Sequence, residues 1–341
     1  MSGSPADIGA GTGEKGGRAA RDQPMVPKAE FRSYYGRPII KQPVWKRDIP
    51  AYFVTGGLMA GSSLLAAGAD LVGNTPLRRV GRLTAAVNLG VGTYFLIHDL
   101  GRPGRFLNML RVLKPTSPMS VGTWLLAAYG PSAALAAATE LTGRRPALAR
   151  AAGLAAAATA PAVATYTAVL TADTAVPAWH DAYRQLPFLF AGSAAASAGG
   201  LAMALVPPND AQPARRLAGL GAALDLAAVE HMHRRMGPSA EPHRVGTAGK
   251  LGNWARGLTA GGAVLGIFFG RRSRLAAVAS GLALVGGSAC TRFAVFHAGF
   301  QSAADPNYTV VPQRQRVDAG RAVRAHQVEA RDRSSERAPA E

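Results

Sequence analysis

Long runs of apolar residues that carry almost no charge recur along the chain, and they constrain its fold more than any other feature. The clearest run, from Ala151 to Ala172, contains no charged residue. A helix needs roughly 17–25 predominantly apolar residues to cross a bilayer, and the runs have about this length. A soluble fold would have to bury every one of them inside a single domain. We therefore predict a polytopic membrane protein.

Eight such segments are predicted to form an all-α transmembrane domain. Small residues dominate them, which allows transmembrane helices to approach one another closely. The sixth segment is the least typical, because Asp225 and Glu230 lie inside it. The predicted spans cover residues 51–72, 81–98, 119–141, 147–172, 186–206, 215–233, 254–270 and 275–298. They belong to a membrane domain over 44–300, between a flexible basic N-terminal arm over 1–43 and a polar C-terminal tail over 301–341.

The two ends of the chain are polar, rich in arginine and poor in large apolar residues, which is typical of disordered segments. An even number of spans places both termini on the same side of the cell membrane. The Lys and Arg residues of the arms favour the cytoplasmic side, whereas the connecting loops show no clear bias. No apolar segment of a signal peptide precedes the first span, so that span is expected to direct insertion.

The cysteine content argues against a disulfide or a metal site built from cysteines in this chain. Cys290 is the single cysteine, so an internal disulfide, a zinc site of several cysteines and a four-cysteine iron–sulfur cluster are not expected. The sequence also lacks the Cys-x-x-Cys-His pattern that attaches c-type haem. Any iron–sulfur chemistry is therefore expected on another chain.

Unusual polar residues collect at one end of the predicted bundle. With eight spans, the first helix begins and every even-numbered helix ends on the side of the termini. A basic connector with the sequence "GRPGRFLNMLRVLKP" follows the second span, and its pattern predicts a short amphipathic helix in the interfacial plane. The residues that share this side include Trp45, Tyr52, His98, Asp99, Arg102, Tyr166, Asp173, Trp179, Arg292 and His297. This end is predicted to hold the functional site.

Some of these positions also have a purely structural interpretation. Tryptophans at helix ends, such as Trp45 and Trp179, usually anchor a helix at the membrane interface. Ionisable groups at membrane depth are different, because they are costly and tend to be paired or functional. Asp225 is therefore expected to have a buried partner, for which Arg292 is the candidate.

Three segments of the chain resemble the NrfD/PsrC family of integral membrane subunits. They are "DLGRPGRFLNMLRVLKPTSPMSVGTW", "YTAVLTADTAVPAWHDAYRQLPFLFAGSA" and "RFAVFHAGFQSAADPNYTVVPQR", and the resemblance extends over residues 44–315. Subunits of this family are the membrane partners of molybdopterin oxidoreductases such as polysulphide reductase and some formate dehydrogenases. The resemblance implies eight transmembrane helices in two four-helix bundles, without haem or metal.

The resemblance also implies a function in electron transfer. Such a subunit anchors a ferredoxin-like iron–sulfur subunit and a molybdopterin catalytic subunit, and passes electrons between that iron–sulfur subunit and menaquinone or menaquinol. It has no complete enzyme activity alone and no nucleic-acid partner. The substrate of the catalytic subunit and the direction of electron flow stay open, because that chemistry takes place on another chain.

Residue roles follow from the regions that match the family's quinone site. These regions contain Tyr52, His98, Asp99, Arg102, Tyr166 and Asp173. Tyr166 and His98 are expected to hydrogen-bond the quinone carbonyls, with Tyr52 and Arg102 as further binding residues. Asp99 and Asp173 are expected to exchange protons with water.

Other functions remain open at this stage. A haem b anchor would use two of His98, His231, His233 and His297 as axial ligands. A proton or ion transporter would be built around Asp225, Glu230 and Arg292, although no internal repeat typical of transporters is evident. A passive anchor would bind a partner but no quinone.

Overall fold

The computed structural model describes residues 39–315 and 317. Most of the predicted N-terminal arm (1–43) and C-terminal tail (301–341) lies outside these residues, and with it most of the disorder predicted there. The described part of the tail, 301–315, is mostly helical, so the prediction of disorder is wrong for this part. Within the described residues all secondary structure is helical and no strand is present. The predicted all-α class is confirmed.

Eight helices of 20 residues or more build the described part of the chain, and each overlaps one predicted span. Three short helices lie between them: α3 (Arg105–Met109), α6 (Pro177–His180) and a 3-10 helix (Gly237–His243). The long helices are α1 (Asp48–Leu71), α2 (Thr75–Asp99), α4 (Pro118–Thr142), α5 (Pro146–Ala172), α7 (Leu186–Leu205), α8 (Gln212–Arg235), α9 (Gly246–Phe269) and α10 (Arg274–Ala304).

Six of the eight long helices are long and apolar enough to cross a membrane: α1, α2, α4, α5, α7 and α10. The other two contain charged residues along their length, such as Asp225 in α8 and Arg256 in α9. A charged side chain in a membrane helix lowers its mean hydropathy and is costly to place among lipid chains. The helices agree with a multi-pass membrane protein.

Helix ends follow from local signals in the sequence. Asn74 caps α2 by accepting a hydrogen bond from the Leu77 backbone N–H at 3.1 Å. Gly143 ends α4 with a φ of 65°, a left-handed conformation that glycine adopts without steric cost. Proline stands in the first turn of α2, α4, α5, α7 and α8, where its missing N–H removes no helical hydrogen bond.

We call α1, α2, α4 and α5 the first helix group, and α7, α8, α9 and α10 the second. Helix α1 contacts α2 and α5, and α4 contacts both α2 and α5. In the second group α7 contacts α8 and α10, and α9 contacts both α8 and α10. The groups meet where α1 and α5 pack against α7. We call the end at which α1 begins and α2, α5, α8 and α10 finish the site end.

Small residues bring the helix backbones together. A Cβ atom on Gly200 of α7 would lie 2.8 Å from Leu284 Cβ and 3.1 Å from the Gly281 carbonyl oxygen of α10. On α1, a Cβ atom on Gly61 would lie 2.7 Å from the Ala194 carbonyl oxygen of α7. Real Cβ contacts are almost never so short, so only glycine allows these two crossings at this distance.

A network of buried charges ties three helices together at the end opposite the site end. The Arg82 guanidinium is only 4% exposed and donates to Glu140 Oε2 at 2.7 Å and to Asp70 Oδ2 at 3.1 Å. Arg78 donates to the same two carboxylates at 3.1–3.4 Å. The network therefore links α1, α2 and α4 through charge-assisted hydrogen bonds, which are the strong ones.

Replacing Arg82 with alanine should destabilise the protein strongly. The change leaves two largely buried carboxylates without their best donor, and breaking a buried pair from one side costs about 3–5 kcal/mol. Arg79→Ala removes an exposed arginine of the same helix and should cost no more than about 0.5 kcal/mol. The thermal unfolding midpoints of both variants in mild detergent test this expectation, and equal midpoints would contradict it.

Candidate functional site

A cavity of about 70 Å³ lies at the site end, among the first turns of α1 and α4 and the last turns of α2 and α5. Its walls are mostly apolar. The polar groups among its lining residues are Tyr52, Asp99, Thr123 and Tyr166, and the apolar ones include Trp45, Ile49, Phe53, Leu96, Leu100, Met109, Met119, Leu126 and Leu170. We call this the tyrosine cavity. It has room for a few water molecules.

Two tyrosines that are far apart in the sequence meet in this cavity. The hydroxyl groups of Tyr52 and Tyr166 form a hydrogen bond with each other. Their rings pack edge to face, with centroids 6.5 Å apart and an interplanar angle of 61°. Tyr52 is buried, whereas Tyr166 is half-buried. Two phenol hydroxyls that bond only to each other can exchange that bond for one to an acceptor that enters the cavity.

Gly122 makes room for the Tyr166 ring. A Cβ atom at Gly122 would clash with Tyr166 Cε2 and would lie 2.7 Å from its Cδ2. Because Gly122 of α4 has no side chain, the ring of Tyr166 on α5 can lie against α4. In this position its hydroxyl reaches Tyr52.

Asp99 places a carboxylate beside the two phenols. It is the last residue of α2, is partly exposed and lines the tyrosine cavity. Its Oδ1 accepts a hydrogen bond from the Lys46 backbone N–H at 3.2 Å, which attaches the segment before α1 to the end of α2. The carboxylate therefore lies between the cavity and the solvent at the site end.

The other three residues with a predicted role do not line this cavity. The His98 side chain is 58% exposed, and its Nδ1 lies 3.0 Å from Asp48 Oδ2. Arg102 is exposed in the connector after α2, and Asp173 is exposed at the end of α5. The structure brings Tyr52, Tyr166 and Asp99 together, and the binding or proton-transfer roles of the other three stay predictions.

The connector that the sequence singled out forms part of the mouth of the cavity. Its helical part, α3, is only five residues long, and its last residue, Met109, contributes to the lining together with Leu100. Met119, at the start of α4, is about half exposed and also lines the mouth. Thioether side chains are flexible, so this part of the wall adapts most readily to a ligand.

A pair of stacked tryptophans extends from the cavity into the second helix group, and the sequence analysis did not foresee it. Trp45 lines the cavity and stacks on Trp179, with centroids 5.4 Å apart and an interplanar angle of 26°. Trp179 is fully buried, and its Nε1–H donates to the Val295 carbonyl oxygen of α10 at 2.7 Å. The interpretation of Trp179 as an interfacial anchor is therefore wrong. No signal in the sequence identifies its partners, because they come from distant segments.

Asp225 and Arg292 are both buried, but they do not form the expected ion pair with each other. The Arg292 guanidinium lies over the Phe190 ring, 4.5 Å from its centroid, and donates to the Phe190 carbonyl oxygen at 3.0 Å. Asp225 lines a separate cavity of about 30 Å³ with His233, His243 and Arg256. Among the described residues, Asp225 Oδ1 has no hydrogen-bond partner.

The histidines within the described residues are dispersed across the site end. His233 packs against His243, with ring centroids 5.9 Å apart, whereas His98 and His231 are exposed. In the part of the chain that the structure describes, no group of three or more His, Cys, Asp or Glu side chains is placed to hold a metal ion.

Comparison with known proteins identifies the family. The sequence model of the family described as "Polysulphide reductase, NrfD" matches residues 40–209. The chain belongs to the NrfD family. The matched residues run from the segment before α1 to the turn after α7, so they include every residue that lines the tyrosine cavity. No curated protein matches the chain.

Family membership and the apolar helices together show what kind of protein this is. It is a multi-pass membrane protein, as predicted, and as an NrfD subunit it has a membrane-anchor role in a molybdopterin oxidoreductase complex.

Replacing Gly122 with alanine should destabilise the NrfD chain. The new methyl group overlaps the Tyr166 ring, and overpacking of this kind costs about 1–3 kcal/mol. Gly130→Ala, on the same helix, is the matched control, because the nearest atom to its Cβ is 3.7 Å away. Thermal unfolding in detergent should therefore shift downward for the first variant alone. An equal shift in both variants would contradict the packing of Tyr166 against Gly122.

The buried His243 should make the stability of the protein depend on pH. Burial lowers the pKa of this side chain to about 4, while its Nε2–H donates to the Ala178 carbonyl oxygen at 3.1 Å. Between pH 6.5 and about 4 the unfolded chain binds a proton that the folded chain excludes. The free energy of unfolding therefore falls as the pH falls through this window, by up to about 3 kcal/mol.

Unfolding midpoints recorded at pH 7.5 and pH 5 would test this dependence. The His243→Gln variant should lose less stability on acidification than the wild-type protein. His231→Gln, which changes an exposed histidine, should lose as much as the wild type. The same acid sensitivity in all three proteins would rule out His243 as its source.

Proposed function

We propose that this NrfD subunit is a quinone-interacting membrane anchor. It would pass electrons between a ferredoxin-like iron–sulfur subunit and menaquinone, within a molybdopterin oxidoreductase of the formate dehydrogenase or polysulphide reductase type. The observation that carries the proposal is the tyrosine cavity, where two phenols and a carboxylate meet in an apolar pocket at one end of the bundle.

The residues of the cavity fit the chemistry of a quinone head group. Such a group is a flat apolar ring with two carbonyl oxygens, so it needs apolar walls and hydrogen-bond donors that point inward. Ile49, Leu96 and Leu126 supply such walls, and the hydroxyls of Tyr52 and Tyr166 supply two donors. A volume of about 70 Å³ is small for a ring of this size. Binding is therefore expected to displace the flexible side chains of Met109 and Met119.

A quinone bound here would carry two electrons together with two protons. The phenols of Tyr52 and Tyr166 would orient it by donating hydrogen bonds, giving up the bond that they make to each other. Asp99 would accept or release protons, because its carboxylate lines the cavity and is also partly exposed to water. The apolar walls would exclude bulk water from the ring.

The membrane arrangement follows from the same proposal. All eight long helices would cross the cell membrane, with α1, α2, α4 and α5 as one four-helix bundle and α7–α10 as the other. The iron–sulfur subunit would dock at the site end, because electrons must reach the tyrosine cavity. The basic arms favour a cytoplasmic location for both termini and for this end.

A second candidate function is proton or ion translocation through α7–α10. The observation that favours it is the buried Asp225, whose Oδ1 has no partner among the described residues and which shares its cavity with two histidines and Arg256. Buried ionisable groups in a membrane domain are often part of ion pathways. This function would not require the tyrosine cavity.

Tyr166→Phe should lower quinone-dependent electron transfer by the native complex about tenfold, because one hydrogen bond to the ligand is lost while the ring stays in place. Tyr94→Phe is the matched control, since Tyr94 is on α2, is 61% exposed and does not line the cavity. The measurement is quinol oxidation or quinone reduction in membrane vesicles, with electron transfer from the catalytic subunit to a soluble dye as the reference activity.

The outcome separates the candidate functions. Quinone binding at the tyrosine cavity is supported if Tyr166→Phe loses quinone activity and keeps dye activity, while Tyr94→Phe keeps both. The same assay on His98→Ala tests the predicted role of His98, which lies outside the lining. Unchanged quinone activity in Tyr166→Phe would contradict the proposal and favour a passive anchor or translocation through α7–α10.

A further inference from the structure

A second cavity with an unexplained charge lies at the opposite end of the bundle from the tyrosine cavity. It has a volume of about 970 Å³ and opens between the first turns of α8 and the end of α9. Three arginines line it: Arg215 and Arg216 from α8, and Arg271 from the turn after α9. None of the residues that line the tyrosine cavity contributes to it.

The three arginines give this cavity a positive charge. No acidic residue lines it, and within residues 39–315 and 317 no carboxylate lies within ion-pair distance of Arg215, Arg216 or Arg271. Arg215 is half-buried and held in position, because it donates to the Pro208 carbonyl oxygen at 2.8 Å. Three guanidinium groups surround one opening, and no carboxylate lines it. This arrangement favours an anionic ligand.

The contrast with the other basic cavity at this end supports this reading. There, in a cavity that Arg144 and Arg150 also line, Arg78 and Arg82 are neutralised by Asp70 and Glu140 through hydrogen bonds of 2.7–3.4 Å. In the described part of the chain, carboxylates therefore pair with two of the arginines of that cavity, but with none of the arginines between α8 and α9.

The apolar part of the cavity is exposed. Leu220 is 72% exposed and Ile267 is 54% exposed, and both line the cavity below the arginines. The Ile267 side chain packs close to Gly219 of α8, since a Cβ atom there would lie 3.2 Å from Ile267 Cδ1. An anion that matches this surface has a charged head and an apolar chain.

We infer that the α8–α9 cavity binds an anionic phospholipid. Its phosphate would be held by Arg215, Arg216 and Arg271, and one acyl chain would lie along Gly219, Leu220 and Ile267. Basic pockets between membrane helices at the level of the head groups recognise such lipids. An occupied site would neutralise the charges at the start of α8, the helix whose composition is among the least favourable for crossing a membrane.

Native mass spectrometry of the intact complex, released from membranes in mild detergent, tests the inference. The complex is offered phosphatidylglycerol and phosphatidylcholine with identical acyl chains at equal concentration. The wild-type complex should retain phosphatidylglycerol about tenfold better, because each arginine favours an anionic head group. This preference should decrease when the salt concentration is raised.

Two pairs of substitutions locate the site. The double variant Arg215→Gln and Arg271→Gln should reduce the preference to within about twofold of none. The double variant Arg79→Gln and Arg272→Gln removes the same charge from exposed positions at the same end of the bundle, outside the cavity, and should keep the preference.

Four results would overturn the inference. The first is the absence of any preference for phosphatidylglycerol in the wild-type complex. This result does not depend on the folding of a variant. The second is an equal loss of preference in both double variants, which would indicate a general charge effect. The third is full displacement of the lipid by excess inorganic phosphate, which would make the cavity a site for a free anion. The fourth is a preference seen only after partner subunits are removed, which would show that a partner covers the cavity.

Discussion

The close approach of helix backbones is the constraint on which the rest of this structure depends. In a membrane, helices are not driven together by the exclusion of water, so their association relies on contact between well-matched surfaces. The crossing of α7 and α10 at Gly200 and Gly281 leaves no space for a side chain. The same is true of Gly61 on α1 against Ala194 on α7, which holds the two helix groups together. A side chain at any of these glycines would force the two helices apart at the crossing.

The candidate site forms where this tight packing gives way to large side chains. At the site end, the larger side chains of Tyr52, Tyr166 and Trp45 replace the glycines and alanines of the bundle interior, and a cavity of about 70 Å³ remains beside them. Gly122 shows how the two kinds of packing are combined, because one missing side chain seats the Tyr166 ring. The charged network around Arg82 holds the other end of the same helices. The tyrosine cavity is therefore supported from both ends of its bundle.

Hydropathy and helix-end signals predicted much of the fold. The site was predicted less well, because the sequence does not show in which direction each side chain points. Helix α9 begins at Gly246, eight residues before the predicted span. The prediction began too late because Lys250 interrupts the apolar pattern ahead of residue 254. Tyr52, Tyr166 and Asp99 were predicted to belong to one site, and the structure brings them together. Asp99 and its neighbour His98 point in directions about 100° apart on α2, so only one of them lines the cavity. Which one could not be read from the sequence, because it depends on how α2 is rotated against α1 and α4.

The most direct test of the central claim is to find where a quinone binds. A photoreactive azido-quinone would be added to native membranes that contain the complex, and the labelled peptides of this chain would be identified by mass spectrometry. The predicted result is labelling of the first turns of α1 and the last turns of α5, and this labelling should weaken when excess menaquinone competes for the site. Labelling confined to α7–α10, or labelling with which menaquinone does not compete, would contradict the assignment of the tyrosine cavity as the quinone site.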